Sequence, residues 1–147
     1  MSKEETFDYQ IKHCWHAISR MYNQVAHGEG ITTSMGFVLI NINSKEGTPA
    51  TKIAPMMGLE SRSLTRMLKS MEEKGLIHRK PDQMDKRSVR ILLTEEGKQK
   101  RSIAIKTIKQ FNEKIQAVLT AQEVNNFYTI FEKINLVIKQ HNRINQP

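Results

Sequence analysis

The feature that most constrains this fold is a change of hydrophobic period between Glu60 and Gly97. In ESRSLTRMLKSMEEKGLIHRKPDQMDKRSVRILLTEEG, the apolar residues Leu64, Leu68 and Met71 recur at helical spacing and form one stripe. Gly75 closes that helix. Leu76 to Lys80 and Ser88 to Leu93 then read as two strands of a hairpin, with Pro81 ending the first and residues 82–87 as the loop. The rest of the chain has to carry this helix-and-hairpin unit.

At 147 residues the chain is one domain's worth of sequence. No apolar run approaches the ~20 residues that span a bilayer. The opening MSKEETFDYQ is too acidic for a signal peptide, and the single cysteine, Cys14, fits a reducing compartment. A cytoplasmic protein with no membrane partner is expected. The net charge of +8 calls for an acidic partner. Residues 1–48 hold four Lys/Arg against five Asp/Glu, residues 49–98 eleven against seven, and residues 99–147 eight against three. The positive charge therefore begins where the helix-and-hairpin unit begins.

A first helix is expected from about Glu5 to Val25, with Phe7, Ile11, Cys14, Trp15, Ile18, Met21, Tyr22 and Val25 on one face. HGEGITTS ends it. Thr33 or Ser34 should cap a second helix that stops around Glu46-Gly47. Thr48-Pro49 reads as the start of a third helix, kinked or tightened at Pro55 and ended by Gly58. Gly58-Leu59-Glu60 turns into the fourth helix, capped by Glu60 or Ser61, and helix–glycine turn–helix is a unit that DNA readers use. Thr94 caps a long fifth helix bearing Ile103, Ala104, Ile108, Phe111, Ile115 and Val118, with Lys98, Lys100, Arg101, Lys106 and Lys109 on its outer face. Thr120 and Glu123 form a capping box for the last helix.

The fold expected is mainly α with a small β-hairpin wing: a winged helix-turn-helix flanked by N- and C-terminal dimerisation helices. It is one domain, 1–147, with a DNA-binding lobe at about 33–96 and dimerisation helices at about 5–26 and 97–143. Phe7, Ile11, Trp15, Phe127, Phe131, Ile134 and Ile138 are the dimerisation candidates, on apolar faces that the small central unit cannot cover.

On the fourth helix, Ser61, Arg62, Ser63, Thr65, Arg66 and Lys69 are the candidates for reading DNA. Arginine pairs bidentately with guanine edges, and serine or threonine reaches base edges or phosphates. At the hairpin, Arg87 would enter a narrow minor groove while the Asp85 carboxylate holds its guanidinium in one orientation. Arg79, Lys80 and Arg90 would neighbour phosphates.

Three elements follow one another here: Lys74-Gly75-Leu76-Ile77, Asp85-Lys86-Arg87 and Leu93-Thr94-Glu95-Glu96-Gly97. In this order they resemble the MarR-type transcriptional regulators. The resemblance implies a homodimer on a pseudo-palindromic DNA operator, usually a repressor released by a small-molecule effector or by thiol oxidation. It implies an effector pocket near the first, second and fifth helices.

Other chemistry is weaker. Cys14 is a redox candidate, but it shares the apolar face with Ile11 and Ile18 and reads as a core thiol, since a reactive one needs exposure. His13 and His16 are one turn apart, yet two ligands do not make a zinc site, so no metal or cofactor is expected. Met56, Met57, Met67, Met71 and Met84 read as adaptable filler. No phosphate loop, nucleophile elbow or paired carboxylates appear, and the chain is not expected to be an enzyme. A winged helix that binds protein instead of DNA is the remaining alternative.

Overall fold

The computed structural model describes residues 1–144; positions 145–147 of the expected domain lie outside the described residues. After a 3-10 turn at Lys3–Glu5 come α1 (Phe7–Gly28), α2 (Thr33–Ile40), β1 (Thr48–Pro49), α3 (Ala50–Met57) and α4 (Ser61–Glu73). They are followed by β2 (Ile77–Pro81), β3 (Val89–Leu93), α5 (Glu95–Gln116) and α6 (Ala121–Ile144). The described residues group into two compact units, Met1–Thr107 and a second that begins at Ile108.

The core of the first unit gathers apolar stripes from three short helices and the sheet. Leu39 and Ile42, Ile53, Leu64 and Met71, and Ile77 and Ile91 are buried together. Thr32, not Thr33 or Ser34, caps α2, its hydroxyl accepting the Met35 N–H at 3.1 Å. The helix stops at Asn41, well short of Glu46-Gly47. The reason is Asn43, whose side-chain oxygen accepts the N–H groups of Lys45 at 2.9 Å and Glu46 at 3.0 Å and turns the chain.

Thr48-Pro49 is a strand rather than a helix start. Thr48 pairs with Ile91 and Pro49 with Arg90, which makes the expected hairpin a three-stranded antiparallel sheet ordered β1-β3-β2. The Thr48 hydroxyl accepts the Asn43 N–H at 2.9 Å and is unavailable to cap α3. Proline is tolerated because β1 is an edge strand. Pro55 lies inside α3, and its missing N–H would have met the carbonyl of exposed Thr51. The tightening comes at the helix end, where Gly58 (φ +63°) donates to the Pro55 carbonyl at 3.2 Å and Leu59 to that of Ala54 at 3.0 Å.

Helix α1 packs on α2 chiefly through rings, with Phe37 6.2 Å from Trp15 and 6.1 Å from Tyr22. Only Tyr22 and Ala26 of α1 are buried. Cys14 is therefore exposed, contrary to the expected core placement, because the unit covers only the C-terminal end of the α1 stripe. Three members of the expected outer face of α5 are half-buried instead. Lys98 pairs with Glu95 at 3.0 Å and Lys100 with Glu29 at 2.9 Å, and Arg101 is half-buried, while Lys106 and Lys109 stay exposed.

In the second unit, α6 opens with the expected capping box: Glu123 N–H donates to the Thr120 hydroxyl at 3.2 Å, and Thr120 N–H to the Glu123 carboxylate at 2.7 Å. The Thr120 N–H, together with the Thr120 hydroxyl that also donates to the carboxylate at 3.0 Å, holds the Glu123 carboxyl below its ordinary range. Phe127 packs on Phe131 with ring centres 4.6 Å apart, yet no described residue of α6 is buried. Among the described residues no helix is long and apolar enough to cross a membrane.

The first turn of α5 touches the start of β2. A Cβ on Gly97 would lie 1.9 Å from the Leu76 carbonyl oxygen, whereas one on Gly28 would meet nothing within 4 Å. Gly97→Ala should lower stability by at least ~2 kcal/mol in urea unfolding, because the clash is with backbone. Gly28→Ala, at a helical position in open space, should be neutral or stabilising by up to ~1 kcal/mol.

Candidate nucleic-acid interface

Helix α4 is fixed by burial of Leu64, Leu68 and Met71, which leaves its other side to solvent. Ser61, Arg62, Ser63, Thr65, Arg66 and Lys69 are all exposed there. Glu60 occupies the N-cap without a side-chain cap bond, so the helix begins with unsatisfied N–H groups directed outward. The Thr65 hydroxyl donates to the Ser61 carbonyl at 2.8 Å and keeps its lone pairs as acceptors. Among the described residues Arg62, Arg66 and Lys69 have no ion-pair partner. The helix thus presents cations that no described carboxylate neutralises.

The sheet supplies a second basic surface, and its cations divide into tied and free. Arg79 is tied: its Nε and Nη2 donate to Glu72 Oε1 at 3.2 and 2.9 Å, and its backbone N–H donates to Glu72 Oε2 at 3.0 Å. Both carboxylate oxygens at the end of α4 therefore hold the first half of β2. The bonds from Arg79 keep the Glu72 carboxyl below its ordinary value of 4.5, and Glu72 in turn raises Arg79.

Arg90 is tied as well. It donates to the Asp82 carboxylate at 3.3 Å and to the Glu46 and Gly47 carbonyls at 3.0 and 3.2 Å. The placement of Arg79 and Arg90 as phosphate neighbours overlooked these partners. Glu72 had one visible signal, a carboxylate on the last turn of a helix whose chain returns a few residues later. Asp82, buried at 6% exposure, had none, since a loop aspartate after proline reads as solvated.

At the tip, Asp85 works differently from expectation. Its carboxylate accepts the Arg87 backbone N–H at 2.9 Å, not the guanidinium, and its carbonyl accepts the Ser88 N–H at 2.9 Å. It shapes the turn that presents Arg87. Among the described residues the Arg87 guanidinium has no ion-pair partner. Exposed Lys80, Lys86 and Arg87, with Arg79, border a shallow cleft of about 310 Å³ floored in part by Pro81 and Val89.

Residues 31–89 match the model of the MarR family. The HTH-type transcriptional regulator SarZ of Staphylococcus aureus (strain MRSA252) is 30% identical over 99 residues, covering 65% of this chain and 67% of SarZ. The organic hydroperoxide resistance transcriptional regulator of Bacillus subtilis (strain 168) is 36% identical over 80 residues, 54% of each chain. The chain spans about half the length of the first relatives it matches. In fold it is similar to the S. aureus MepR protein of a MepR–DNA complex, with a TM-score of 0.81, 19% identity, and coverage of 90% of this chain and 98% of that one.

The Glu72–Arg79 contact makes a pH-dependent prediction. The folded-state value of Glu72 lies below its unfolded one, so its stabilisation is complete above the unfolded value and fades as pH falls through the folded value. Glu72→Gln should lower the urea midpoint at neutral pH. The difference from wild type should disappear as pH falls into the acid range below 4.5.

Proposed function

Because the chain belongs to the MarR family of transcriptional regulators, we propose that it is a sequence-specific reader of double-stranded DNA that acts as a homodimer, with repression relieved by an effector. The observation that carries this reading is the set of unneutralised cations, Arg62, Arg66 and Lys69 on α4 and Arg87 on the wing, on elements joined by Glu72 and Arg79. A cationic helix face enters the major groove, and an extended arginine on a hairpin reaches the neighbouring minor groove. Ser61, Ser63 and Thr65 supply the short polar contacts between the cations.

Exposed apolar residues on α1, including Phe7, Ile11 and Trp15, and separately on α6, including Phe127, each offer a face to a second copy. Ile134, Ile138 and Phe131 share that face of α6. Two readers held together then address half-sites about one helical turn apart.

The test is footprinting on the DNA upstream of the chain's own gene, together with selection from random DNA. Protection of a pseudo-palindrome is expected; no protection and no selected palindrome would remove the reading. Arg87→Ala should weaken binding about tenfold, mostly at A·T-rich flanking steps, and flatten the salt slope by about one. A loss that is equal on all sequences would assign Arg87 to phosphate alone. If a protein is the partner instead, binding should fall only shallowly with salt.

A second reading of the signal is favoured by the exposure of Cys14. Its thiolate would attack an organic hydroperoxide, breaking the O–O bond to give a sulfenic acid and releasing the alcohol. Cys14 shares the α1 face assigned to the second copy, so the oxidised side chain would change the spacing of the two readers. Hydroperoxide should then release DNA from wild type and leave Cys14→Ser bound. Equal release from both proteins would point to a non-covalent effector.

A further inference from the structure

The wing tip carries a residue that folding does not explain. Met84 is 92% exposed, the one apolar side chain in a loop otherwise made of Gln83, Asp85, Lys86 and Arg87. It contributes nothing to the core, and its surroundings are built to hold it outward. Asp82 is buried, held by Arg90, and accepts the Met84 N–H at 3.4 Å. The Asp82 N–H donates to the Ser88 carbonyl at 3.0 Å and closes the base of the loop. Asp85 then fixes the backbone on the other side of Met84 through the N–H groups of Arg87 and Ser88. An exposed methionine on a braced tip thus stands three residues before Arg87, which has no ion-pair partner among the described residues and borders the basic cleft.

We infer that Met84 is the apolar part of the minor-groove contact, packing against sugar and base edges and prising a flexible base step while Arg87 answers the negative potential. This deepens the DNA reading above and rests on it. The occupant follows from the charge: Lys86 and Arg87 follow the methionine two and three residues on in the same exposed tip, so the surface that covers the tip has to be anionic around an apolar floor. A minor groove has that composition, with phosphate rails over sugars and base edges. Proteins that enter it commonly insert an apolar side chain between steps and kink the duplex. Methionine is unbranched and adapts to such a gap.

The experiment uses the full chain and the site it selects from random DNA, with 2-aminopurine placed at successive flanking steps. Wild-type binding should raise the fluorescence at one flanking step per half-site. Met84→Ala should lose that signal and about tenfold in affinity, close to the effect of burying one such side chain, with the salt slope unchanged because no charge is removed. Met84→Leu should restore both. Arg87→Ala serves as the contrast, since it should flatten the slope. The inference is overturned if Met84→Ala keeps the affinity and the fluorescence signal of wild type, or if Met84→Leu behaves as Met84→Ala does. If wild type selects no DNA at all, the DNA reading itself falls, which is a distinct result.

Discussion

Three elements meet where Thr94 crosses the end of α4, and the arrangement of α4, the sheet and α5 depends on that crossing. The Thr94 N–H donates to the Leu76 carbonyl at 3.1 Å, its hydroxyl donates to the Gly75 carbonyl, and the same hydroxyl accepts the Gly97 N–H at 3.0 Å. One side chain thus caps α5 and satisfies a carbonyl at the C-terminus of α4. Gly75, at φ +72°, lets α4 end in a tight turn with the Leu76 N–H on the Met71 carbonyl at 3.0 Å. Gly97 lacks the Cβ that would push α5 off the Leu76 backbone. The helix, the sheet and α5 are set at fixed angles by hydrogen bonds within a few residues of one another.

From that crossing outward, the basic side chains sort by what lies beneath them. Those near the core find carboxylates or carbonyls: Arg79 finds Glu72, Arg90 finds Asp82 and the Glu46–Gly47 turn, and Lys100 finds Glu29. Those farther out, Arg62, Arg66, Lys69 and Arg87, have no ion-pair partner among the described residues. A tied arginine holds backbone in place through directed hydrogen bonds, and a free one in water awaits an anion. The distinction gives the net charge of +8 a spatial meaning that a residue count lacks.

The parts of the fold legible in the sequence were those set by local chemistry. The α4 stripe, the turns at Gly58 and Gly75, the Thr94 cap and the Thr120–Glu123 box all depend on residues within a few positions of one another. What escaped was non-local. Thr48-Pro49 looks like a helix start by its own chemistry, and only pairing with Ile91 and Arg90, more than forty residues away, makes it a strand. The early end of α2 turned on Asn43 competing for backbone N–H groups, a side-chain choice that hydrophobic period cannot register. For the same reason the candidate residues of α4 stood where expected, while Arg79 and Arg90 acquired partners that no spacing announces. Cys14 failed differently: its stripe is apolar, but periodicity says which face is apolar and not whether this chain covers it.

The hairpin loop is pinned at both ends by buried residues, Asp82 and Ser88, while everything from Gln83 to Arg87 is exposed. Asp85, though exposed, joins the pins by holding the backbone N–H groups of Arg87 and Ser88, so the shape of the loop rests on three residues. Exchanging Gln83, Met84, Lys86 and Arg87 leaves those three and the sheet register in place, so the chemistry of the tip can change without asking the fold to change. Drift at those four positions would give the frame a different outer surface while the protein kept its shape.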